Sequence, residues 1–194
     1  MKISGKKILW TGKFLRTVLI EYPDPFGQQD MSTMTAKVRE WEAIERVNCD
    51  GIVGIVPITG EGEVVLIRQF RPPINGYVIE LPAGLCDIGE SKEDAAKREL
   101  REETGYSAGE VHFLIEGPLS SGASSEMLHV FIATGLSYVG TGDRDETENI
   151  EVLKVPMDEL GPFLDDLRND GNYIDLKVYG LVELSRNFLR KKNV

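Results

Sequence analysis

Apolar and polar residues alternate in short runs along most of the chain, which is the pattern of β-strands rather than of long helices. From residue 51 onward the runs are clear, and the first two, over 51–59 and 63–70, flank a Gly-containing turn at 60–62. Further runs of the same kind read GYVIELPAG, VHFLIEG, MLHVFIATGL and IEVLKVP. The pattern predicts a sheet-forming domain.

Helical spacing of apolar residues predicts three helices between and after these strands. The first follows Ser91, and two more close the chain over about 157–169 and 175–192. Asp175 is placed to cap the last of them. Because strands and helices are mixed without a regular βαβ repeat, we expect an α/β fold of the α+β type, with a mixed sheet covered by helices.

The N-terminal residues predict a separate, small β-rich unit. Strand-like residues with one Thr-Gly turn occupy 6–22. The run 33–48 is ambiguous between strand and helix, although its local alternation weakly favours a strand. We therefore expect two domains, residues 1–46 and residues 47–194.

The composition and charge of the chain limit which kinds of partner it can bind. The chain has 194 residues and a formal net charge of −10, which argues against a nucleic-acid surface or an anionic membrane as the main partner. No apolar run reaches the length of a membrane span, and the N-terminus lacks the apolar segment of a signal peptide. The two cysteines, Cys49 and Cys86, predict reduced, buried thiols in a cytoplasmic protein.

The stretch 84–106 holds five Glu and two Asp and is the strongest chemical signal in the chain. Glu99, Glu102 and Glu103 are spaced so that a helix carries all three on neighbouring positions of one side. Carboxylate oxygens in such a cluster suit Mg²⁺ or Mn²⁺, although a solvated acidic helix is the simpler alternative.

The same stretch resembles the signature of the Nudix hydrolases at every fixed position. Those positions are Gly84, Glu90 and the run RELREETGY over 98–106. The resemblance implies a Nudix-type α/β/α sandwich and metal-dependent cleavage of a nucleoside diphosphate linked to another moiety. It also implies Mg²⁺ as the cofactor, with Mn²⁺ as a substitute.

The resemblance further implies individual roles within the stretch. Glu99 and Glu103 match metal ligands, and Glu102 matches a residue that often contributes to catalysis. Arg98 matches an arginine that orients the carboxylates. In the relatives that the sequence most resembles, the backbone carbonyl at the position of Ala83 is also a metal ligand, and Gly84 lets the loop turn and its backbone approach the site.

A second acidic segment, TGDRDETENIEV, leads into the strand at 150–156 and is expected to complete the site. From the residues alone, the general base stays open within 143–151. By resemblance to ADP-ribose pyrophosphatases, Glu146 matches the general base and Glu148 a metal ligand.

The flanking segment RPPINGYVIELPAG is similar to the one that precedes the signature in ADP-ribose and nucleotide-sugar pyrophosphatases. There the residue at Arg71 reaches the phosphates and the residue at Glu80 contacts the ribose. A loop arginine that makes a structural hydrogen bond is the alternative for Arg71.

An N-terminal element resembles the base-binding region of the same subgroup. Trp41 matches the residue that stacks on adenine, and Arg46 one that binds the phosphates or the terminal ribose. Glu42, Phe14 and Glu126 complete the expected substrate-binding set, with Phe14 as a second stacking ring. Core or dimer-interface aromatics are the alternative for both rings. In these relatives the N-terminal unit swaps across a homodimer, so Trp41 would serve the partner's site.

One departure bears on the substrate. The ADP-ribose group usually carries a Ser-Pro-Gly turn where this chain has Ser120-Ser121-Gly122. The resemblance implies hydrolysis of ADP-ribose to AMP and ribose 5-phosphate. GDP-mannose or a broad range of nucleotide sugars is the alternative, and a non-catalytic nucleotide-sensing module is a distant third, since the signature is not degraded.

Overall fold

The computed structural model describes residues 2–24, 29–30, 35–140 and 149–192. The strands are numbered β1 to β15 in chain order, with these bounds: Gly5–Thr11, Leu15–Pro23, Gln29–Asp30, Thr35–Ala36, Val38–Arg46, Gly51–Pro57, Glu63–Arg71, Gly76–Glu80, Ala83–Cys86, Tyr106–Ser107, Glu110–Pro118, Met127–Thr134, Ser137–Tyr138, Ile150–Pro156 and Tyr173–Ile174. The helices α1, α2 and α3 span Lys92–Thr104, Leu160–Asn169 and Lys177–Lys192, and short 3₁₀ turns span Pro72–Ile74 and Met157–Glu159.

The chain forms two compact units. One contains Met1–Cys49 together with Gly117–Met127, and the other contains Asp50–Glu116 and Leu128–Val194. The segment 117–127 therefore belongs with the N-terminal strands, which the local sequence pattern did not indicate.

The N-terminal unit is built on a three-stranded antiparallel sheet in the order β1-β2-β5. Within the run 33–48, which was ambiguous between strand and helix, the described residues form the strands β4 and β5, as the alternation favoured. The outer edge of β5 is covered by the segment 117–127, because Ile44 N donates to Ala123 O at 2.8 Å and Ser125 N donates to Ile44 O at 3.3 Å.

The larger unit contains two four-stranded sheets, β11-β12-β6-β9 and β14-β7-β8-β15. In the first sheet β12 runs parallel to β6 and β9 antiparallel, so the sheet is mixed. Helix α1 packs its apolar side on this sheet and forms a buried cluster with it, which includes Val53, Ile55, Ala95, Leu100 and Phe131. The predicted mixed α/β architecture is confirmed.

The last helix begins later than the predicted residue 175. Tyr173 and Ile174 form β15 beside β8, and Asp175 N donates to Ile79 O at 3.0 Å, so this backbone is extended rather than helical. Asp175 still serves the helix start, since its Oδ1 accepts from Lys177 N at 2.9 Å. The stretch predicted as one helix from 157 opens as a 3₁₀ turn and becomes α-helical at Leu160.

Both cysteines are free thiols, but only Cys86 is buried. Cys49 is half-buried, so the expectation of two buried thiols is wrong for it, because it lies in the bend after β5 and not in a strand. Among the residues that the structure describes, no helix has the length and hydropathy needed to cross a membrane.

Candidate active site

Helix α1 is fixed at both ends by its sequence. Ser91 Oγ accepts from Asp94 N at 3.1 Å at the first turn, where acidic side chains also favour the positive end of the helix dipole. The helix ends at Gly105, whose φ of 78° is left-handed and whose N–H donates to Arg101 O at 2.9 Å. The apolar residues Ala95, Ala96 and Leu100 face the core, and Glu103 is buried beside them, whereas Glu102 is half-exposed.

Arg98 holds three carboxylates and one carbonyl at once. Its Nε and Nη2 donate to the two Glu90 oxygens at 3.0 and 2.9 Å, and Nη2 also donates to Leu85 O at 2.8 Å. Its Nη1 donates to Glu99 Oε1 at 2.8 Å and to Glu102 Oε2 at 3.1 Å. Glu90 and the Leu85 carbonyl, which precede the helix, hold the guanidinium in place. The guanidinium in turn orients Glu99 and Glu102.

The electrostatics of this cluster follow from the same contacts. The hydrogen bonds from Arg98 hold the pKa of Glu90 below its ordinary value of 4.5. The hydrogen bond to Glu90, followed by those to Glu99 and Glu102, raises the pKa of Arg98 further above its ordinary value. Both groups are therefore held in their charged forms.

Gly84 lies directly under the Glu99 carboxylate. A Cβ on Gly84 would lie 2.0 to 2.3 Å from the carboxylate carbon and oxygens of Glu99, so the carboxylate would have to move to make room. The expectation that Gly84 lets the loop turn is wrong: it is part of the strand β9, and its φ lies outside the left-handed range. Glycine leaves the space in which the Glu99 carboxylate packs on the backbone.

Glu103 joins the helix to the same strand. Its side chain is buried, with 4% of the residue exposed, and its Oε2 accepts from Ala83 N at 2.9 Å. A carboxylate at this depth needs hydrogen bonds or a cation to offset the loss of hydration. Helix α1 and β9 thus bring Glu99, Glu103 and the Ala83–Gly84 backbone together.

These oxygen donors have the chemistry that Mg²⁺ or Mn²⁺ prefers. Within residues 2–24, 35–140 and 149–192, however, no group of three or more His, Cys, Asp or Glu is arranged to hold a metal ion. Glu99 and Glu102 point to Arg98, and Glu103 to Ala83 N. The two acids expected to complete the site, Glu146 and Glu148, lie outside the described residues.

Arg71 is the last residue of β7 and Glu80 the last of the antiparallel strand β8, and their side chains meet on the same face of the hairpin. Arg71 Nε donates to Glu80 Oε1 at 2.9 Å, and Nη2 donates to Glu80 Oε2 at 2.5 Å. The Arg71 side chain is 40% exposed and that of Glu80 12%. The structure therefore brings the expected phosphate and ribose contacts together as a two-point ion pair, with the Arg71 side chain partly exposed.

The two aromatic residues expected to stack on a base are exposed rather than buried. Phe14 is 60% exposed and Trp41 is 50% exposed, so the alternative that they are core residues is wrong. Trp41 Nε1 donates to Gly122 O at 3.0 Å, which fixes the indole against the Ser120–Gly122 turn. No local pattern predicts this contact, because its partners are 81 residues apart.

The expected polar residues of the same unit lie on the other face of the strand. Because side chains alternate along β5, Trp41 points to one face while Glu42 and Arg46 point to the other. Arg46 Nε donates to Glu126 Oε1 at 2.6 Å, so two predicted substrate-binding residues pair with each other.

The chain is similar in sequence to a known domain family and to proteins with known names. The family description "NUDIX domain" matches residues 50–176. The chain is 31% identical to an ADP-sugar pyrophosphatase of Mus musculus over 91% of this chain and 84% of that protein. It is 37% identical to an ADP-ribose pyrophosphatase of Bacillus subtilis over 59% of this chain and 63% of that protein, which is less than two thirds of the relative.

A solved structure described as an ADP compounds hydrolase has the same fold. It superposes with a TM-score of 0.77, covering 98% of this chain and 95% of the other, at 22% identity. At that identity the likeness concerns the fold alone.

Proposed function

Because the chain belongs to the Nudix hydrolase family, we propose that it hydrolyses the pyrophosphate bond of ADP-ribose, yielding AMP and ribose 5-phosphate. The observation that carries the proposal is the carboxylate cluster around Arg98, packed on the Ala83–Gly84 backbone. One relative is named an ADP-ribose pyrophosphatase and another an ADP-sugar pyrophosphatase, and these names direct our choice of substrate to ADP-ribose.

Members of this family generally need a divalent metal ion, and we propose Mg²⁺ for this chain. Glu99, Glu103, the Ala83 carbonyl and Glu148 would hold the ion, which when bound neutralises phosphate oxygens and lowers the pKa of water. Arg98 keeps Glu99 and Glu102 in the orientation that this requires.

The reaction adds one water across the P–O–P bond. The water oxygen bonds to one phosphorus, the bridging oxygen leaves with the other phosphate, and we assign removal of the water proton to Glu146. Arg71 has a partly exposed side chain that can donate to phosphate oxygens, and Glu80 holds its guanidinium in place. Trp41 and Phe14 supply exposed rings on which an adenine can stack.

We further propose that the chain acts as a homodimer that exchanges its N-terminal units. Trp41 and Arg46 point to opposite faces of β5. A ligand bound to one face of this strand therefore contacts only one of the two side chains from the same copy. A second copy would supply the missing group. The two free thiols suit the reducing cytoplasm, which we propose as its location.

A substrate panel tests the proposed reaction. Purified protein is incubated with ADP-ribose, GDP-mannose and other nucleotide sugars, each with Mg²⁺ and with Mn²⁺, and products are separated by chromatography. The expected result is the highest kcat/KM for ADP-ribose, with AMP and ribose 5-phosphate as the products. Faster turnover of GDP-mannose would assign the alternative substrate, and binding without turnover would indicate a nucleotide-sensing module.

Substitution of Glu103 by Gln tests the site. Gln keeps an oxygen that can accept from Ala83 N, so the fold should persist while an anionic metal ligand is lost. We expect kcat to fall at least about a hundredfold. Glu93→Gln is the matched control, because Glu93 lies on the same helix and pairs only with Lys97 among the contacts described. Near-normal turnover of the Glu103 variant would refute the assignment.

A further inference from the structure

Gln69 has a buried acceptor that no described residue satisfies. Only 8% of the residue is exposed, and its Oε1 receives no hydrogen bond from residues 2–24, 35–140 or 149–192. Buried polar atoms are almost always paired, since an unpaired acceptor loses its hydration without compensation. A buried, unpaired side-chain oxygen of this kind suggests a ligand that donates a hydrogen bond to it.

The register of the sheet puts Gln69 on the face that carries Arg71 and Glu80. Gln69 lies two residues before Arg71 on β7, so both side chains leave the same face, about 7 Å apart along the strand. Glu80 is paired with Ile67, which places its side chain on that face as well. The orphan acceptor therefore lies next to the Arg71–Glu80 pair and deeper in the fold.

The other neighbour of Gln69 is the start of β14. Gln69 is directly opposite Ile150, the first residue of that strand. Gln69 thus lies on β7 near Arg71, the proposed phosphate contact, in the row that pairs with the first residue of β14.

The chemistry of a nucleotide sugar limits what can donate to this oxygen. Phosphate oxygens only accept, so they suit Arg71 and not Gln69 Oε1. A ribose hydroxyl donates, and each ribose is attached to a phosphate through a single ester link. We propose that Gln69 Oε1 accepts a hydrogen bond from a ribose hydroxyl of the substrate. The assignment rests on the proposed function.

Gln69→Met tests this, because Met has a similar length and shape but no amide oxygen. We expect KM for ADP-ribose to rise roughly tenfold with a smaller change in kcat, because the bond contributes to binding. The dissociation constant of inorganic pyrophosphate, measured by calorimetry, should not change, since that ligand carries the charge but no hydroxyl donor. Without ligand, the melting temperature should be equal or higher, because an unpaired polar atom is removed.

Phe70→Met is the control for a general disturbance of β7. Phe70 is the next residue, points to the opposite face and is 39% exposed. It should leave KM for ADP-ribose unchanged.

Two results for Gln69→Met would overturn the inference. One is an unchanged KM for ADP-ribose, which would leave Gln69 as a buried residue without a ligand. The other is an equal loss of affinity for ADP-ribose and pyrophosphate, which would indicate a general distortion. Failure of the wild-type protein to hydrolyse ADP-ribose would instead contradict the proposed function, so the two failures are distinguishable.

Discussion

Gly84 is the residue at which one added carbon would act most directly on the carboxylates. We expect Gly84→Ala to lower kcat roughly a hundredfold, because the new Cβ displaces the Glu99 carboxylate and misplaced groups of this kind cost about that much. The Mg²⁺ concentration for half-maximal activity should rise as well. Steady-state kinetics over a range of Mg²⁺ concentrations would measure both effects.

Gly161→Ala is the matched control, since a Cβ there meets no atom within 4 Å and its φ lies outside the left-handed range. It should leave kcat unchanged. If Gly84→Ala kept full activity, the close contact with Glu99 would have no catalytic consequence.

Trp41 allows a second prediction at the residue scale. Trp41→Ala should raise KM for ADP-ribose roughly tenfold and lower kcat less, because stacking of a base on an aromatic ring contributes mainly to binding. Trp10→Ala is the comparison: Trp10 is the other tryptophan of the same unit, 60% exposed, and its ring covers Gly12. An unchanged KM in the Trp41 variant would leave the indole with a structural role only.

Residues were predictable where their partners are close in sequence. Arg98 meets Glu90, Glu99 and Glu102 within eight positions, so the local spacing already indicates the cluster. The pairing of Arg46 with Glu126 joins residues 80 positions apart and leaves no local pattern. The unpaired oxygen of Gln69 could not be predicted from the sequence either, because the residues of its strand have the pattern of any buried strand.

At the scale of elements, the pair formed by Glu90 and Arg98 clamps the loop before α1 to the helix. The pKa of Glu90 is lower in the folded protein, so the pair stabilises the fold above the ordinary value of 4.5 and this contribution is lost as the pH falls through the lowered value. Glu90→Gln should therefore be less stable than the wild type at pH 7, with the difference shrinking below about pH 4.5.

Urea unfolding of both proteins at pH 7 and at several acidic values would measure that difference. A difference in unfolding free energy that stays constant through the acidic range would show that the carboxylate charge is not what stabilises the clamp. Glu93→Gln, which removes an exposed helix pair, should give a much smaller effect at pH 7.

Element ends were predictable where capping residues mark them. Ser91 and Gly105 bound α1 because a hydroxyl and a left-handed glycine satisfy its free backbone groups. The predicted start of α3 at 175 is two residues early for a different reason. Asp175 N donates to Ile79 O of β8, and this long-range contact keeps the backbone extended until the helix begins at Lys177.

At the scale of the whole molecule, the proposed dimer is open to direct measurement. Gel filtration with light scattering at micromolar concentration should give twice the chain mass of 21.6 kDa. Exposed apolar side chains on the N-terminal sheet, such as Ile8 and Val38, provide surface that a second copy would cover. A monomer under these conditions would contradict the exchange of N-terminal units.

The segment 117–127 covers the outer edge of β5 although some 80 residues of chain separate them. During synthesis, β5 leaves the ribosome long before the residues that cover its edge. At ordinary rates of translation the delay is on the order of ten seconds, during which the edge is open to pairing with other chains. The N-terminal sheet is thus synthesised first but reaches its complete structure late. Slower growth of the expressing cells, or chaperones that bind the sheet during this interval, should improve the yield of folded protein.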